Sequence, residues 1–316
     1  MKLVFCGTPQ FAVPTLDALL AAGHEVALVV SQPDRPVGRH QQLTAPPVKQ
    51  TALSAGLAVL QPEKIRNNPE LQGRLSELSP DAIVIVAYGR LIPPWMLTLP
   101  KQDNLNVHAS LLPKYRGAAP IQWAVANGEI ETGVTTMRID EGLDTGDILL
   151  QERVAILPQQ TSVELSPVLA EMGAGLMVRT LAELERGTLA PTKQDPSRAT
   201  LAPILQREDG RIDWNSTARK IFDRWRGFQP WPGAFTSFRS KKWILHSMQV
   251  VADPTELLTD AAPGTLVRKA NRLFVACGES TWLELLDLQM EGKRRMPVEA
   301  FLQGLSLDDG ERLDPR

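Results

Sequence analysis

Lys2-Leu3-Val4-Phe5-Cys6-Gly7 opens the chain as an unbroken apolar run closed by a glycine. A parallel strand covered on both faces reads this way, because neither side of its pleat meets water. Phe11 to Ala22 follows as a helix. Leu16, Leu19 and Leu20 form its apolar stripe and Gly23 ends it. Val26 to Val30 is a second buried run. Strand, helix and strand in this order imply a doubly wound α/β sheet.

Further along, Val48 to Ala55 and Pro69 to Leu78 read as helices, and Ala58 to Leu60 and Ala82 to Ala87 as strands. The turn after the first strand, Gly7-Thr8-Pro9-Gln10-Phe11, lacks the G-x-G-x-x-G pattern, which disfavours an NAD-dependent oxidoreductase. No Walker pattern occurs either. Residues 31–49 form a long irregular segment in which Arg35, Arg39 and Lys49 supply positive charge suited to phosphates, or simply a solvated loop.

Leu105-Asn106-Val107-His108 reads as a strand end. Side chains alternate faces along a strand, so Asn106 and His108 point the same way. An amide and an imidazole together can grip a carbonyl and move a proton near neutral pH. The same residue types also serve as turn caps and ordinary half-buried groups. Ligands in such sheets lie beyond the carboxyl ends of the strands, so Ala87 and His108 point to one crevice.

Ala118 to Asn127 is expected as a helix and Gly133 to Ile139 as a strand. The acidic stretch Asp140-Glu141-Gly142-Leu143-Asp144-Thr145-Gly146-Asp147 comes next. One of its carboxylates could orient His108, and Asp140, Glu141, Asp144 and Asp147 all qualify on charge alone. Ser162 to Arg186 is a long helix closed by Gly187.

Residues 188–211 show no periodicity, so a linker is placed at 190–211, between domains at 1–189 and 212–316. Ser216 to Phe228 is helical, with Arg219, Lys220, Arg224 and Arg226 beside an apolar face. The short runs that follow suggest a small barrel. Residues 1–189 carry 15 Lys and Arg against 19 Asp and Glu, whereas 190–316 carry 19 against 17. The more basic second half suits a polyanionic partner.

The chain of 316 residues is 43% hydrophobic, enough for one large or two ordinary cores. Cys6 and Cys277 are far apart and form no CxxC pair, and the four histidines are scattered, so no metal is expected. The apolar stretches are too short for a signal peptide or a membrane span, which implies a soluble cytoplasmic protein.

The motifs Phe5-Cys6-Gly7-Thr8-Pro9, Ser31-Gln32-Pro33-Asp34-Arg35-Pro36, Asn106-Val107-His108-Ala109-Ser110-Leu111-Leu112-Pro113, Arg116-Gly117-Ala118-Ala119-Pro120 and Gly142-Leu143-Asp144-Thr145-Gly146-Asp147 closely resemble those of the methionyl-tRNA formyltransferase family. Ile212-Asp213-Trp214 and Pro230-Trp231-Pro232-Gly233 extend the likeness through the second half. The resemblance implies a Rossmann-like formyltransferase domain with a mostly parallel sheet, followed by a small OB-like β-barrel domain that binds tRNA. It also implies formyl transfer from 10-formyltetrahydrofolate to the methionine α-amine of charged initiator tRNA, by a monomer.

Carried over by position, the resemblance makes Asn106, His108 and Asp144 catalytic. It lays Ser110, Leu111, Leu112 and Pro113 along the folate site, and sends the 31–49 loop, with Arg39, to the tRNA. Asn106 and His108 would both donate to the formyl oxygen, and Asp144 would help take the amine proton. The chain departs from the usual pattern at Ala109, where glycine is common, and at His40-Gln41-Gln42, where lysines are frequent. Other folate enzymes, acting on glycinamide ribonucleotide, an amino sugar or formyltetrahydrofolate itself, would share the catalytic trio. A purely nucleic-acid-binding module would leave the N-terminal motifs unexplained.

Overall fold

The computed structural model describes residues 1–316 except 39–40, 256, 258–260, 309 and 315–316. Arg39 lies outside the described residues. The chain divides into two compact units. The first comprises Met1–Pro120, Glu131–Ala155 and Glu164–Pro203, and the second Ile121–Ile130, Ile156–Val163 and Ile204–Arg316.

The first part of the chain runs β1 (Lys2–Gly7), α1 (Val13–Ala21), β2 (Glu25–Val30), β3 (Arg35–Val37), β4 (Gln42–Thr44), α2 (Pro47–Ser54) and β5 (Val59–Leu60). It continues as α3 (Pro69–Leu78), β6 (Ala82–Val86), α4 (Pro94–Leu97), β7 (Asp103–His108), α5 (Pro120–Ala126), β8 (Glu131–Arg138), β9 (Ile148–Ala155) and α6 (Ser162–Arg186). The first unit's seven-stranded sheet has the order β5-β2-β1-β6-β7-β8-β9. Its pairs are parallel from β5 through β7. β7–β8 and β8–β9 are antiparallel.

β6 shows why these sequences make this sheet. Ala82, Val84 and Val86 face one core with Leu16 and Leu19 of α1. Ile83 and Ile85 face another with Leu71 and Leu75 of α3 and Met96 of α4. Each fully buried valine or isoleucine contributes about 2 kcal/mol through its apolar surface. Asn68 caps α3 by accepting from Leu71 N at 2.9 Å, which fixes where that helix begins. β6 stops one residue before the expected end because Ala87 turns to φ 46. Similarly, the expected helix from Phe11 begins as a 3-10 turn, Gln10–Ala12, and α1 starts with Pro14 in its first turn.

β7 is held from above by α6. A Cβ on Gly173 would lie 2.6 Å from Val107 Cγ1, so only a glycine permits this approach. The packing fixes the strand that carries Asn106 and His108. Within the 31–49 segment, expected to be irregular, β3 and β4 pair as an antiparallel ribbon, Arg35 opposite Thr44. At its root Lys49 Nζ donates to both oxygens of Asp34 at 2.9 and 2.8 Å, and Gln61 Nε2 to Oδ1 at 2.7 Å.

Residues 190–203, within the expected linker, belong to the first unit. Thr192 pairs with Ile148, and Leu201 with Arg116.

The second unit contains α7 (Ala218–Gly227), β10 (Phe235–Phe238), β11 (Lys241–Val250), β12 (Leu266–Lys269), β13 (Arg272–Ala276), β14 (Trp282–Met290), β15 (Met296–Pro297) and α8 (Val298–Phe301). Its antiparallel sheet, ordered β10-β11-β14-β13-β12 with β15 beside β14, curls around a core as a half-barrel. Trp243 sits at the centre of that core, edge-on to Phe301 with ring centroids 5.0 Å apart. α7 buries Ala218, Ile221 and Phe222 there. Its buried Asp223 is bound by Arg226 Nε at 2.6 Å and by Arg219. Arg226 also donates to the carbonyl of Gln160 at 2.8 Å, which leaves this buried charge paired and hydrogen-bonded.

Candidate active site

β7 delivers Asn106 and His108 to the carboxyl edge of the sheet, beside the end of β6. Asn106 is half-buried, and among the described residues its side-chain amide makes no hydrogen bond. His108 is 5% exposed. Its Nε2 lies 2.8 Å from the carbonyl of Tyr115. A carbonyl only accepts, so Nε2 carries the hydrogen, and Nδ1 is the nitrogen left for chemistry. Nδ1 stands 3.6 Å from Asp144 Oδ2.

Of the acidic candidates, Asp144 is the one that approaches the imidazole. Asp140 is turned into its own loop, accepting from Thr145 Oγ1 at 2.6 Å and Gly142 N at 3.0 Å. Glu141 is exposed. Asp147 lies 3.8 Å from Arg138, whose Nε donates to Asp103 at 2.6 Å. Burial pushes the Asp103 carboxyl up, and Arg138 pulls it back.

Asp144 adopts φ 52, a left-handed conformation that Asp tolerates better than most residues. Its Oδ2 accepts the backbone N–H of Gly117 at 2.8 Å. Gln194 Nε2 donates to the carbonyl of Asp144 at 2.8 Å. Behind this, Tyr115 N donates to Thr200 Oγ1 at 2.9 Å, and Arg116 N to the carbonyl of Thr200 at 2.9 Å. Sequence reasoning missed Tyr115, Gly117, Gln194 and Thr200 as supports. Gly117 stood within a recognised motif. Gln194 and Thr200 had no local signal, because their bonds reach far back along the chain.

Residues 110–113 form one turn next to His108. The buried Ser110 donates its hydroxyl to the carbonyl of Lys114 at 2.6 Å. Leu112 is buried, and its N–H donates to Thr135 Oγ1 at 3.2 Å, while Gln151 Nε2 donates to its carbonyl at 2.9 Å. The Leu112–Pro113 peptide is cis. Leu111 and Pro113 are half-buried. Exposed apolar side chains stand beyond neighbouring strand ends, Leu91 after β6 and Leu143 beside Asp144. Among the described residues no group of three or more His, Cys, Asp or Glu could hold a metal ion. No described helix is long and apolar enough to cross a membrane.

Comparison with known proteins places the chain in a family. Residues 1–181 match the model of the formyl transferase family, and 204–306 that of the formyl transferase C-terminal domain. The methionyl-tRNA formyltransferase of Acidobacterium capsulatum is 64% identical over 313 residues, covering 99% of both chains. That of Koribacter versatilis is 55% identical, covering 99% of this chain and 98% of its own. Among solved structures, the N-formyltransferase of Helicobacter canadensis in complex with folinic acid and dTDP-3-aminofucose superposes with a TM-score of 0.67 at 18% identity. That likeness spans 90% of this chain and 98% of the other and concerns the fold. Identity of this degree along the full length settles the lineage: the chain belongs to the methionyl-tRNA formyltransferase family.

Proposed function

We propose that Asn106, His108 and Asp144 carry out formyl transfer from 10-formyltetrahydrofolate to the methionine α-amino group of initiator methionyl-tRNA. The observation that carries this reading is the approach of His108 Nδ1 to Asp144 Oδ2, 3.6 Å apart, on the strand end that also presents the unpartnered Asn106 amide. The bound folate supplies the formyl carbon, which exchanges its bond to N10 for one to the amine. The amine loses a proton and N10 gains one.

The protein's own groups fit that balance. Asn106 donates an amide N–H to the formyl oxygen as it gathers negative charge, a contribution of about 3–4 kcal/mol for one such donor. His108 donates from Nδ1 when that nitrogen is protonated, since Nε2 is committed to Tyr115. Asp144 holds Oδ2 toward Gly117 and the imidazole, and Oδ1 is left to accept the amine proton, directly or through a water. Leu111, Pro113, Leu91 and Leu143 offer apolar walls to the folate. Ser110 and Leu112 shape the turn from inside.

Residues 212–316 form the tRNA-binding domain in this reading, and Arg39, between β3 and β4 in sequence, meets the tRNA backbone. In this reading the protein acts as a monomer in the cytoplasm, where charged tRNA is found. The decisive assay offers 10-formyltetrahydrofolate with charged initiator tRNA, charged elongator methionine tRNA, glycinamide ribonucleotide and an amino sugar. Preferential formylation of the initiator is expected. Formylation of a small amine with none of tRNA would overturn the reading.

A further inference from the structure

Gln194 joins the two loops that hold the catalytic pair. Its Nε2 donates to the carbonyls of Asp144 and Gly146, both at 2.8 Å. Its Oε1 accepts from Nε and Nη2 of Arg116 at 3.0 and 2.7 Å. The orientation of this amide is fixed by its partners, because carbonyls only accept and a guanidinium only donates. Arg116 is flanked by the two residues whose backbones touch the pair: Tyr115 accepts from His108, and Gly117 donates to Asp144. Gln194 is half-buried between exposed neighbours. It falls between residues 181 and 204, outside both matched family models.

Besides this clamp, the turn is held by the Gly117 N–H on Asp144 Oδ2 and by the Thr145 hydroxyl on Asp140. Asp144 sits in the left-handed region, where a non-glycine residue persists when its surroundings fix it. We propose that Gln194 is a positioning residue for formyl transfer, clamping the 144–146 turn to Arg116 so that the Asp144 carboxylate stays aimed at His108. The proposal rests on the reading of Asp144 as a catalytic group.

Gln194→Glu is the discriminating variant. It keeps the shape and the acceptor for Arg116 but turns a carboxylate oxygen toward two carbonyl oxygens. Single-turnover rates and steady-state constants are measured for wild type, Gln194→Glu, Asp144→Ala and the double variant, with melting temperatures for each. The expected result is a fall in kcat of at least tenfold in Gln194→Glu, with KM for 10-formyltetrahydrofolate and the melting temperature little changed. In the Asp144→Ala background the same substitution should cause no further fall.

Full turnover in Gln194→Glu, or an equal fall in both backgrounds, overturns the positioning role while leaving the role of Asp144 intact. Normal turnover in Asp144→Ala removes the underlying reading instead, and the proposal with it. Should Gln194→Glu not fold, Gln194→Met, similar in length and without the polar contacts, is read the same way. If neither folds, the residue is structural and the proposal fails.

Discussion

The backbone N–H of Gly117 donates to Oδ2 of Asp144 at 2.8 Å. The same oxygen faces His108 Nδ1, so one glycine amide sets the direction of the carboxylate. Gly117 can do this because of its own constraints. It has φ 121, and a Cβ there would lie 2.7 Å from the carbonyl oxygen of Ala202. Gly117→Ala is therefore expected to lower stability by about 1–3 kcal/mol through backbone strain. It should also reduce kcat by more than its effect on folding explains. Urea denaturation alongside kcat, measured where both proteins are fully folded, checks this. A destabilised variant with unchanged kcat would show that the amide does not matter to Asp144.

Removing the reacting groups themselves should be more severe. His108→Ala and Asp144→Ala are each expected to lower turnover by roughly 10²–10⁴-fold, the usual range for a positioned acid or base. Asn106→Ala should cost about 3–4 kcal/mol in the barrier. All three should retain wild-type circular dichroism. Near-normal turnover in a folded Asp144→Ala protein would reassign the proton to another group.

The root of the β3–β4 ribbon gives a pH-dependent prediction. Hydrogen bonds from Lys49 and Gln61 hold the Asp34 carboxyl below the usual carboxylate range. A depressed carboxyl contributes its support above the ordinary value near 4 and loses it as pH falls through the lower folded value. Asp34→Asn at neutral pH should thus mimic acid. KM for tRNA should rise several-fold, with KM for the folate unchanged. Arg39→Ala should weaken tRNA use and reduce the salt slope by about 0.7–0.9 for each phosphate left without its cation. An unaltered slope would count against a phosphate partner for Arg39.

Glu284 in β14 tests the second unit. Arg272 Nε and Nη2 donate to it at 2.7 and 2.6 Å, and Gln249 Nε2 at 2.7 Å. These bonds, Arg272 first, keep its carboxyl below the usual range despite its burial. Stability from this group is present above about pH 4.3 and disappears as pH falls through the depressed folded value. Glu284→Gln should cost about 1–2 kcal/mol at pH 7, since one buried charge-assisted cluster is weakened. The difference from wild type should shrink as pH falls through the depressed folded value, where the wild-type carboxyl takes up its proton. A pH-independent difference would mean that packing, rather than charge, is responsible.

Much of this architecture was legible in the residues. β1, β2 and β6 are apolar on both faces, and such runs leave few alternatives. α3 and α6 were bounded correctly, α6 by Gly187. β9 was overlooked: it is the sheet's edge, and its outer face carries Gln151 and Arg153 rather than a continuous apolar run. The β3–β4 ribbon was hidden by its prolines and short length. Asn106 and His108 followed from strand alternation. The choice of Asp144 among four carboxylates did not, because it depends on which way a left-handed turn aims one side chain. The bracing by Gln194 and Thr200 was invisible for a related reason. Hydrogen bonds to distant carbonyls leave no periodic trace in the chain.

That bracing also orders events during synthesis. Gln194 follows Asp144 by 50 residues, and Thr200 follows Tyr115 by 85. A nascent polypeptide leaving the ribosome therefore carries Asn106, His108 and Asp144 well before the residues that brace their loops have emerged. In the nascent chain the Asp144 and Tyr115 loops therefore stay unbraced until synthesis has passed Thr200.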